Sequence, residues 1–368
     1  MTDIAFFLID LGGGGAEKVM LSLAAGFANK GLKVDLVLAQ KTGEYLSLIP
    51  DNIRVIDLAS PRLISSLPLL VKYLQQNSPK FLFSALEDPN VLSIVAQKLA
   101  GVTTRVIVTV HNHVSNYCRE SRELKRKFTP WLISWLFPQA AGIVAVSQGV
   151  ANEVAKISGL PSEKIRVIYN PIFTPELLPK FHESVEHPWF QDDQLPVILG
   201  IGRLTKQKDF GTLIRAFAIV EKKYPSRLMI LGQGGKLAEL QALVADLDLV
   251  KKVDFPGFVD NPYAYLSKAK MLVMSSIFEG FGNVLVESMM AGTPVVSTDC
   301  ESGPSEILSD GKYGHLAKVG DPENLATAII DTFSNHPVPE MLKKRGQEFS
   351  LEAALSKYEK ICNEIALS

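Results

Sequence analysis

Short apolar runs alternate with longer amphipathic stretches along most of this chain. The opening IAFFL predicts a strand over 3–9, the glycine run after it a turn, and the next periodic stretch a helix over 16–29 stopped by Gly31. A second strand over 33–38 completes a βαβ unit. The runs FLFSAL, RVIVTVHN, GIVAVS and IRVIYNP continue the alternation, which implies a parallel sheet wound on both faces. The polar, proline-bearing HESVEHPWFQDDQLP then interrupts it and reads as a linker. The alternation restarts with PVILGIG, RLMILG, KVDFPG, MLVMSS and PVVST. The expected class is therefore α/β with two doubly wound, Rossmann-like domains, over 1–185 and 195–348. A last helix within 349–368 is expected to pack back toward the first domain. In such sheets ligands bind beyond the carboxyl ends of the strands.

Composition narrows the setting. The chain has 368 residues, 47% hydrophobic and 21% charged, enough for two real cores. Its 38 basic and 39 acidic side chains give a formal charge of −1 and no reason to expect a nucleic-acid partner. Residues 1–185 are the more basic half, with 19 Lys/Arg against 15 Asp/Glu. Cys118, Cys300 and Cys362 stand too far apart in sequence for a CxxC site or a disulfide framework, so a reducing, cytoplasmic setting is expected. The N-terminal run has no basic segment before it, and no run reaches the ~18 apolar residues of a span.

Four loops at strand ends carry candidate chemistry. LIDLGGGGAEK holds a glycine run before a helix, suited to an anion or simply to a tight turn; Glu17 stands where a dinucleotide fingerprint needs its third glycine. GIGRLTKQKDF places Arg203 and Lys208 between a strand and a helix, where a guanidinium fork and an ammonium can neutralise a diphosphate, or form a solvated charge cluster. SSIFEGFGNVLVESMMAGTPVV puts Glu279 in a turn and Glu287 in the following helix, with Gly282 and Asn283 offering N–H groups at its start. Eight positions apart across a turn, the two carboxylates share a ligand and not a proton, unless Glu287 is merely a surface residue. VTVHNHV ends a strand at His111. No Asp, Glu or Cys stands at ligand spacing from His111 and His113, so no metal is expected.

With these motifs together, the chain resembles the family-4 retaining glycosyltransferases of the GT-B fold, in which two Rossmann-like domains face each other across a cleft. GGGGAEK, VTVHN, AVSQGV, GIGRLTKQKD, LGQGG, PGFVDN and FEGFGNVLVESMMAGTPVVSTDCESGPSEI carry the resemblance, the last with the EX7E spacing. It implies that Arg203 and Lys208 bind the donor diphosphate, Glu279 the hydroxyls of the transferred sugar, and Glu287 the ribose. It further implies that N–H groups near Asn283 and Val284 meet the distal phosphate, and that Phe258 and Val259 hold the base. Gly14 and Gly15 would face donor phosphate and acceptor, and His111 the donor sugar from across the cleft. The implied activity is metal-independent transfer of a hexose or N-acetylhexosamine, with UDP as the favoured carrier, to a glycan or lipid-linked acceptor. The nucleotide sugar is then a co-substrate and no cofactor is expected. Front-face attack, with the departing phosphate taking the acceptor's proton, is part of the same implication. A nucleotide-sugar epimerase, a phosphorylase and a silent partner subunit are the alternatives on this fold.

One stretch lies outside these motifs. CRESRELKRKFTPWLISWLFP sets Arg119, Arg122, Lys125, Arg126 and Lys127 before Trp131, Trp135 and Phe137. It suits peripheral attachment of 119–137 to an anionic inner-membrane face, or equally a helix whose tryptophans fill the core.

Overall fold

The computed structural model describes residues 2–12, 14–120, 127–191 and 195–367. The chain divides into two compact units, Met1–Pro171 with Leu351–Ser368, and Ile172–Ser350.

The first unit is a seven-stranded parallel sheet. Its strands are β1 (Ile4–Leu8), β2 (Val34–Leu38), β3 (Arg54–Asp57), β4 (Phe81–Ala85), β5 (Arg105–Val110), β6 (Gly142–Ala145) and β7 (Ile165–Val167), in the order β3-β2-β1-β4-β5-β6-β7. All five residues of β1, β2 and β4 are buried, because helices cover both faces of the sheet. Strand β3 lies at the edge and is half-exposed, which explains why its RVID shows no uniform apolar run. Phe6 and Phe83 stack at 5.2 Å, and Tyr358 of the helix Leu351–Leu367 meets Phe83 edge-on at 5.6 Å. That helix lies so close to Gly26 that a Cβ there would come within 2.5 Å of Leu355. The last helix therefore belongs to the first unit, and the chain crosses between the units twice.

The second unit has six parallel strands: β8 (Val197–Ile201), β9 (Arg227–Leu231), β10 (Val253–Gly257), β11 (Met271–Met274), β12 (Val295–Thr298) and β13 (His315–Ala317). Their order is β10-β9-β8-β11-β12-β13. Phe210, Phe217, Leu228, Ile230, Val273 and Ile329 stand among its core. Both sheets run outward in two directions from a central pair, β1/β4 and β8/β11, which makes the crevice at each pair's carboxyl end the natural ligand site.

The expected boundaries near 185 and 195 require correction, since the first crossing falls at Pro171/Ile172. Residues 172–190 pack on the second unit: Phe181 meets Tyr263 at 5.3 Å, Asn261 donates to the Lys180 carbonyl at 2.8 Å, and Ser267 to that of Phe181 at 2.7 Å. The stretch read as a linker is attached there too, through His187 to Asp254 at 3.0 Å and Trp189 against the Arg227 guanidinium. Polar composition and prolines signalled irregular backbone, and that backbone is anchored at both ends of the 3-10 turn Pro188–Phe190.

Candidate active site

At the carboxyl end of the β8/β11 pair, the loop after β8 and the turn after β11 are sewn together. Gln207 donates from its side chain to the Phe278 carbonyl at 2.9 Å, and its own carbonyl accepts from Ile277 N at 2.8 Å. Ser275 Oγ donates to the Lys208 carbonyl at 2.8 Å, and Thr298 Oγ1 at the end of β12 to the Ser276 carbonyl at 2.6 Å. These bonds fix the backbone under two charged groups. Lys208 Nζ lies 2.5 Å from Glu279 Oε1, which also accepts from Ser276 Oγ at 2.6 Å. Glu279 is 7% exposed, so the carboxylate is desolvated and held by two donors. Both end on Oε1, which leaves Oε2 to accept from a ligand hydroxyl.

Local sequence explains how Lys208 reaches there. Its aliphatic stem lies over Gly202, where a Cβ would come within 3.1 Å of Lys208 Cε. Asp209 turns the chain at φ +43° and caps the helix Phe210–Lys223, accepting from Thr212 N at 3.3 Å and Thr212 Oγ1 at 2.7 Å. Arg203 leaves the same loop exposed. Burial pushes the thiol of Cys300 well above the usual range, and the Glu279 carboxylate adds to the shift, so this neighbour is a neutral thiol and not a nucleophile.

The helix Asn283–Ala291 begins at Gly282, whose φ of +101° lets the chain turn into it. The first turn of such a helix carries N–H groups that the helix itself does not bond, which is where an anion would be met. Glu287, half-buried one turn in, accepts from Tyr263 O–H at 3.3 Å. Val284 is buried. Phe258 follows β10, two strands from β8, and is 54% exposed, with Val259 half-buried beside it. The structure therefore brings Lys208 into contact with Glu279 and puts Arg203, Gly282 and Asn283 on the same two loops; Phe258 and Val259 stand at the sheet's edge.

His111 and the glycine loop lie in the first unit, at the carboxyl ends of β5 and β1. Gly14 caps the helix Gly15–Asn29, and the Glu17 carboxylate lies where a Cβ on Gly14 would stand, 2.1 Å away. His111 is buried, and burial lowers its pKa to about 4, so its imidazole is neutral. Its Nε2 is 2.9 Å from Thr109 Oγ1, whose hydroxyl donates to the Ser84 carbonyl at 2.8 Å. The Thr109 proton being used, the network assigns the His111 proton to Nε2 and an open lone pair to Nδ1, which has no partner among the described residues. His113 lies 3.0 Å from Glu153, which also accepts from Val114 N and Ser115 N at 2.7 Å each. Burial raises the Glu153 carboxyl, but these bonds outweigh it and hold it below its ordinary value. The histidine pair is thus split between two structural networks, and among the described residues no three His, Cys, Asp or Glu side chains converge on a metal position.

In the segment 119–137, Arg122, Lys125 and Arg126 lie outside the described residues. Trp131 and Trp135, on the helix Thr129–Leu136, do not fill the core: they are 63% and 61% exposed and stack at 6.1 Å. Phe137 is fully buried with Ile133 and Leu136, a correction to its reading as a surface anchor; it lies two positions past Trp135 and so turns to the opposite side of the helix. Among the described residues no helix is long and apolar enough to cross a membrane. Two features escaped the sequence reading. Glu87, 2% exposed, opens the helix Glu87–Ala100 two positions after β4, and an acidic residue just past an apolar strand was the available signal. Ser302 is buried with a positive φ, which no sequence signal announces.

Two parallel doubly wound units, one of them carrying a cation–glutamate pair beside a helix start, define the GT-B class of transferase folds. Residues 13–174 match the family described as Glycosyltransferase Family 4, and residues 183–349 match Glycosyl transferases group 1. The chain is 33% identical over 337 residues to the N-acetylgalactosamine-N,N'-diacetylbacillosaminyl-diphospho-undecaprenol 4-alpha-N-acetylgalactosaminyltransferase of Campylobacter jejuni, covering 88% of each chain. It is 29% identical to the lipopolysaccharide core biosynthesis glycosyltransferase LpsE of Rhizobium meliloti, covering 94% of each. The crystal structure of Anabaena HepE in complex with UDP and glucose superposes with a TM-score of 0.78 at 19% identity, over 99% of this chain and 100% of that one. The chain belongs to the family-4 glycosyltransferases.

Proposed function

We propose that this chain transfers a hexose or N-acetylhexosamine from a UDP-linked donor to a glycan or lipid-linked acceptor, with retention and without metal, in synthesis of cell-surface polysaccharide or glycolipid. The observation that carries the reading is the Lys208–Glu279 pair at the crevice beside β8 and β11. The Lys208 ammonium keeps two N–H donors after serving Glu279, and the exposed Arg203 guanidinium supplies a fork. Together with the N–H groups of Asn283 and Val284 they meet the charge that develops on the departing diphosphate, the main electrostatic need of this reaction. These cations take the place that a divalent metal fills in other phosphate sites.

The remaining roles are those that the family resemblance implies. Glu279 Oε2 accepts from hydroxyls of the transferred sugar and, already serving Lys208 and Ser276, acts as an orienting group and not as a proton carrier. Glu287 holds the ribose and Phe258 and Val259 the base, while Gly14 and Gly15 border donor phosphate and acceptor. His111, neutral with an open Nδ1, accepts from a hydroxyl of the donor sugar. In the transfer the bond from anomeric carbon to phosphate oxygen breaks, the acceptor oxygen bonds on the same face, and its proton passes to the departing phosphate. The relatives support the donor and acceptor classes: one is named for a diphospho-undecaprenol substrate, and HepE holds UDP and glucose. Proton NMR of the product tests the stereochemistry. An α-linked donor should yield an α-linked product, and a β-linked product overturns retention.

A lipid-linked acceptor brings the enzyme to a membrane face, and a specific observation favours peripheral contact there. Trp131 and Trp135 stack on an exposed face, Phe128 is 66% exposed, and in the sequence the basic stretch 119–127 directly precedes them. Such a pairing suits the headgroup boundary of an anionic bilayer at the cytoplasmic face.

A further inference from the structure

Ser302 holds two features that the site described above does not use. Its hydroxyl oxygen is buried without a hydrogen-bond partner among the described residues, and the residue is 8% exposed. Its φ is +75°, a conformation that strains any residue with a side chain and that glycine would adopt freely. A strained position carrying a buried, unserved hydroxyl gains nothing for folding from being serine, because an unpaired buried polar group is itself destabilising.

The position of Ser302 gives the hydroxyl a use. Glu301 forms a parallel bridge with Phe278, one residue before Glu279. On the other side Gly303, at φ +94°, presses on the carbonyl of Phe281, so closely that a Cβ there would lie 1.8 Å from its oxygen. Ser302 is thus clamped between both ends of the Phe278–Phe281 turn, immediately before Gly282 and the helix Asn283–Ala291. Cys300, two residues earlier, already feels the charges of Glu279 and Lys208. The open donor in this clamp is a hydroxyl, and the charge expected at the adjacent helix start is negative.

We propose that Ser302 is a donor-binding residue whose hydroxyl donates a hydrogen bond to the distal phosphate of the nucleotide diphosphate seated at the start of the helix Asn283–Ala291. The inference rests on the nucleotide-sugar reading of the same site. Phosphate oxygen is the acceptor in this crevice that can satisfy a buried O–H, and the bond completes a ring of donors with Asn283 N–H, Val284 N–H, Lys208 and Arg203. The strain at Ser302 then holds the hydroxyl in place before the ligand arrives.

Calorimetry with UDP, GDP, ADP and the matching monophosphates, on wild type, Ser302→Ala and Ser302→Gly, tests this. Both variants should bind the preferred diphosphate about tenfold or more weakly, the loss expected for a hydrogen bond to a charged group. Their affinity for the monophosphate should stay within about twofold of wild type, and the glycine variant, relieved of strain, should melt no lower than wild type. Unchanged diphosphate affinity in both variants overturns the proposal while leaving the donor-site reading intact. A loss confined to the intact nucleotide sugar overturns the phosphate assignment, since the hydroxyl then serves the transferred sugar. A wild type that binds none of the three diphosphates overturns the donor-site reading, and this proposal with it.

Discussion

Lys208 Nζ and Glu279 Oε1 lie 2.5 Å apart although 71 positions separate the two residues in the chain. The pair joins the loop after β8 to the turn after β11, so the charge that would meet the donor diphosphate is also part of the fold. Arg203, exposed on the same loop, makes no such ion pair among the described residues. Both Lys208→Ala and Arg203→Ala are expected to lower kcat by ~10²-fold or more. Only Lys208→Ala should lower the melting temperature as well, because it leaves the buried Glu279 carboxylate without its cation. Thermal unfolding beside steady-state kinetics reads both effects. Near-normal turnover in both variants contradicts the assignment.

The two glutamates should separate by what they hold. Glu287→Ala is expected to weaken binding of free UDP about tenfold, because a ribose hydroxyl loses a charged acceptor. Glu279→Ala should leave UDP affinity nearly intact and slow transfer, if its carboxylate holds the transferred sugar as proposed. Calorimetry with free UDP, set against kcat, makes the comparison. Equal losses of UDP affinity count against the division of roles.

His111 gives a pH signature. Its folded pKa of about 4 lies below the ordinary 6.5, so the native state prefers the neutral ring. Protonation favours the unfolded chain: this contribution to stability is complete above pH 6.5 and is lost as pH falls toward 4, to a limit of about 3 kcal/mol. Wild type should therefore lose melting temperature between pH 6.5 and 4 more steeply than His111→Asn. Parallel curves for the two proteins would mean that the imidazole is not held neutral by burial. Above pH 7 titration of this residue should change neither activity nor stability.

The alternation of apolar runs made both sheets legible, since a strand buried on two faces is apolar throughout, as in IAFFL and MLVM. It failed at the edges, where β3 is half-exposed and β13 has only three residues. The Lys208–Glu279 contact was foreshadowed by the loops that hold the two residues, but no spacing rule says that ends so distant in sequence will meet. Ser302 was illegible because its interest lies in a backbone angle and an unserved hydroxyl. The domain boundary was misplaced because polar composition marks an irregular segment without saying which unit anchors it; Phe181 on Tyr263 decides that. For Trp131 and Trp135 the sequence left core and surface open, and exposure decides for the surface.

That exposed pair predicts salt-sensitive attachment. Co-sedimentation with vesicles containing anionic lipid should be detectable at low salt and fall as salt rises, each cation near the surface contributing about 1 kcal/mol. Trp131→Ala with Trp135→Ala should reduce it while leaving the melting temperature nearly unchanged, because neither ring is part of the core. If wild type ignores anionic vesicles at low salt, the patch faces another partner and a water-borne acceptor becomes the better reading.

Incubation of the purified chain with UDP-glucose, UDP-galactose, UDP-N-acetylglucosamine and UDP-N-acetylgalactosamine, with EDTA present and UDP release followed over time, addresses the proposed chemistry most directly. Release of UDP from at least one donor is expected, stimulated by a lipid-linked acceptor and reduced ~10²-fold or more in Lys208→Ala. No release from any of the four donors with acceptor present, or release that EDTA abolishes and Mg²⁺ restores, would contradict metal-free transfer built on the Lys208–Glu279 pair.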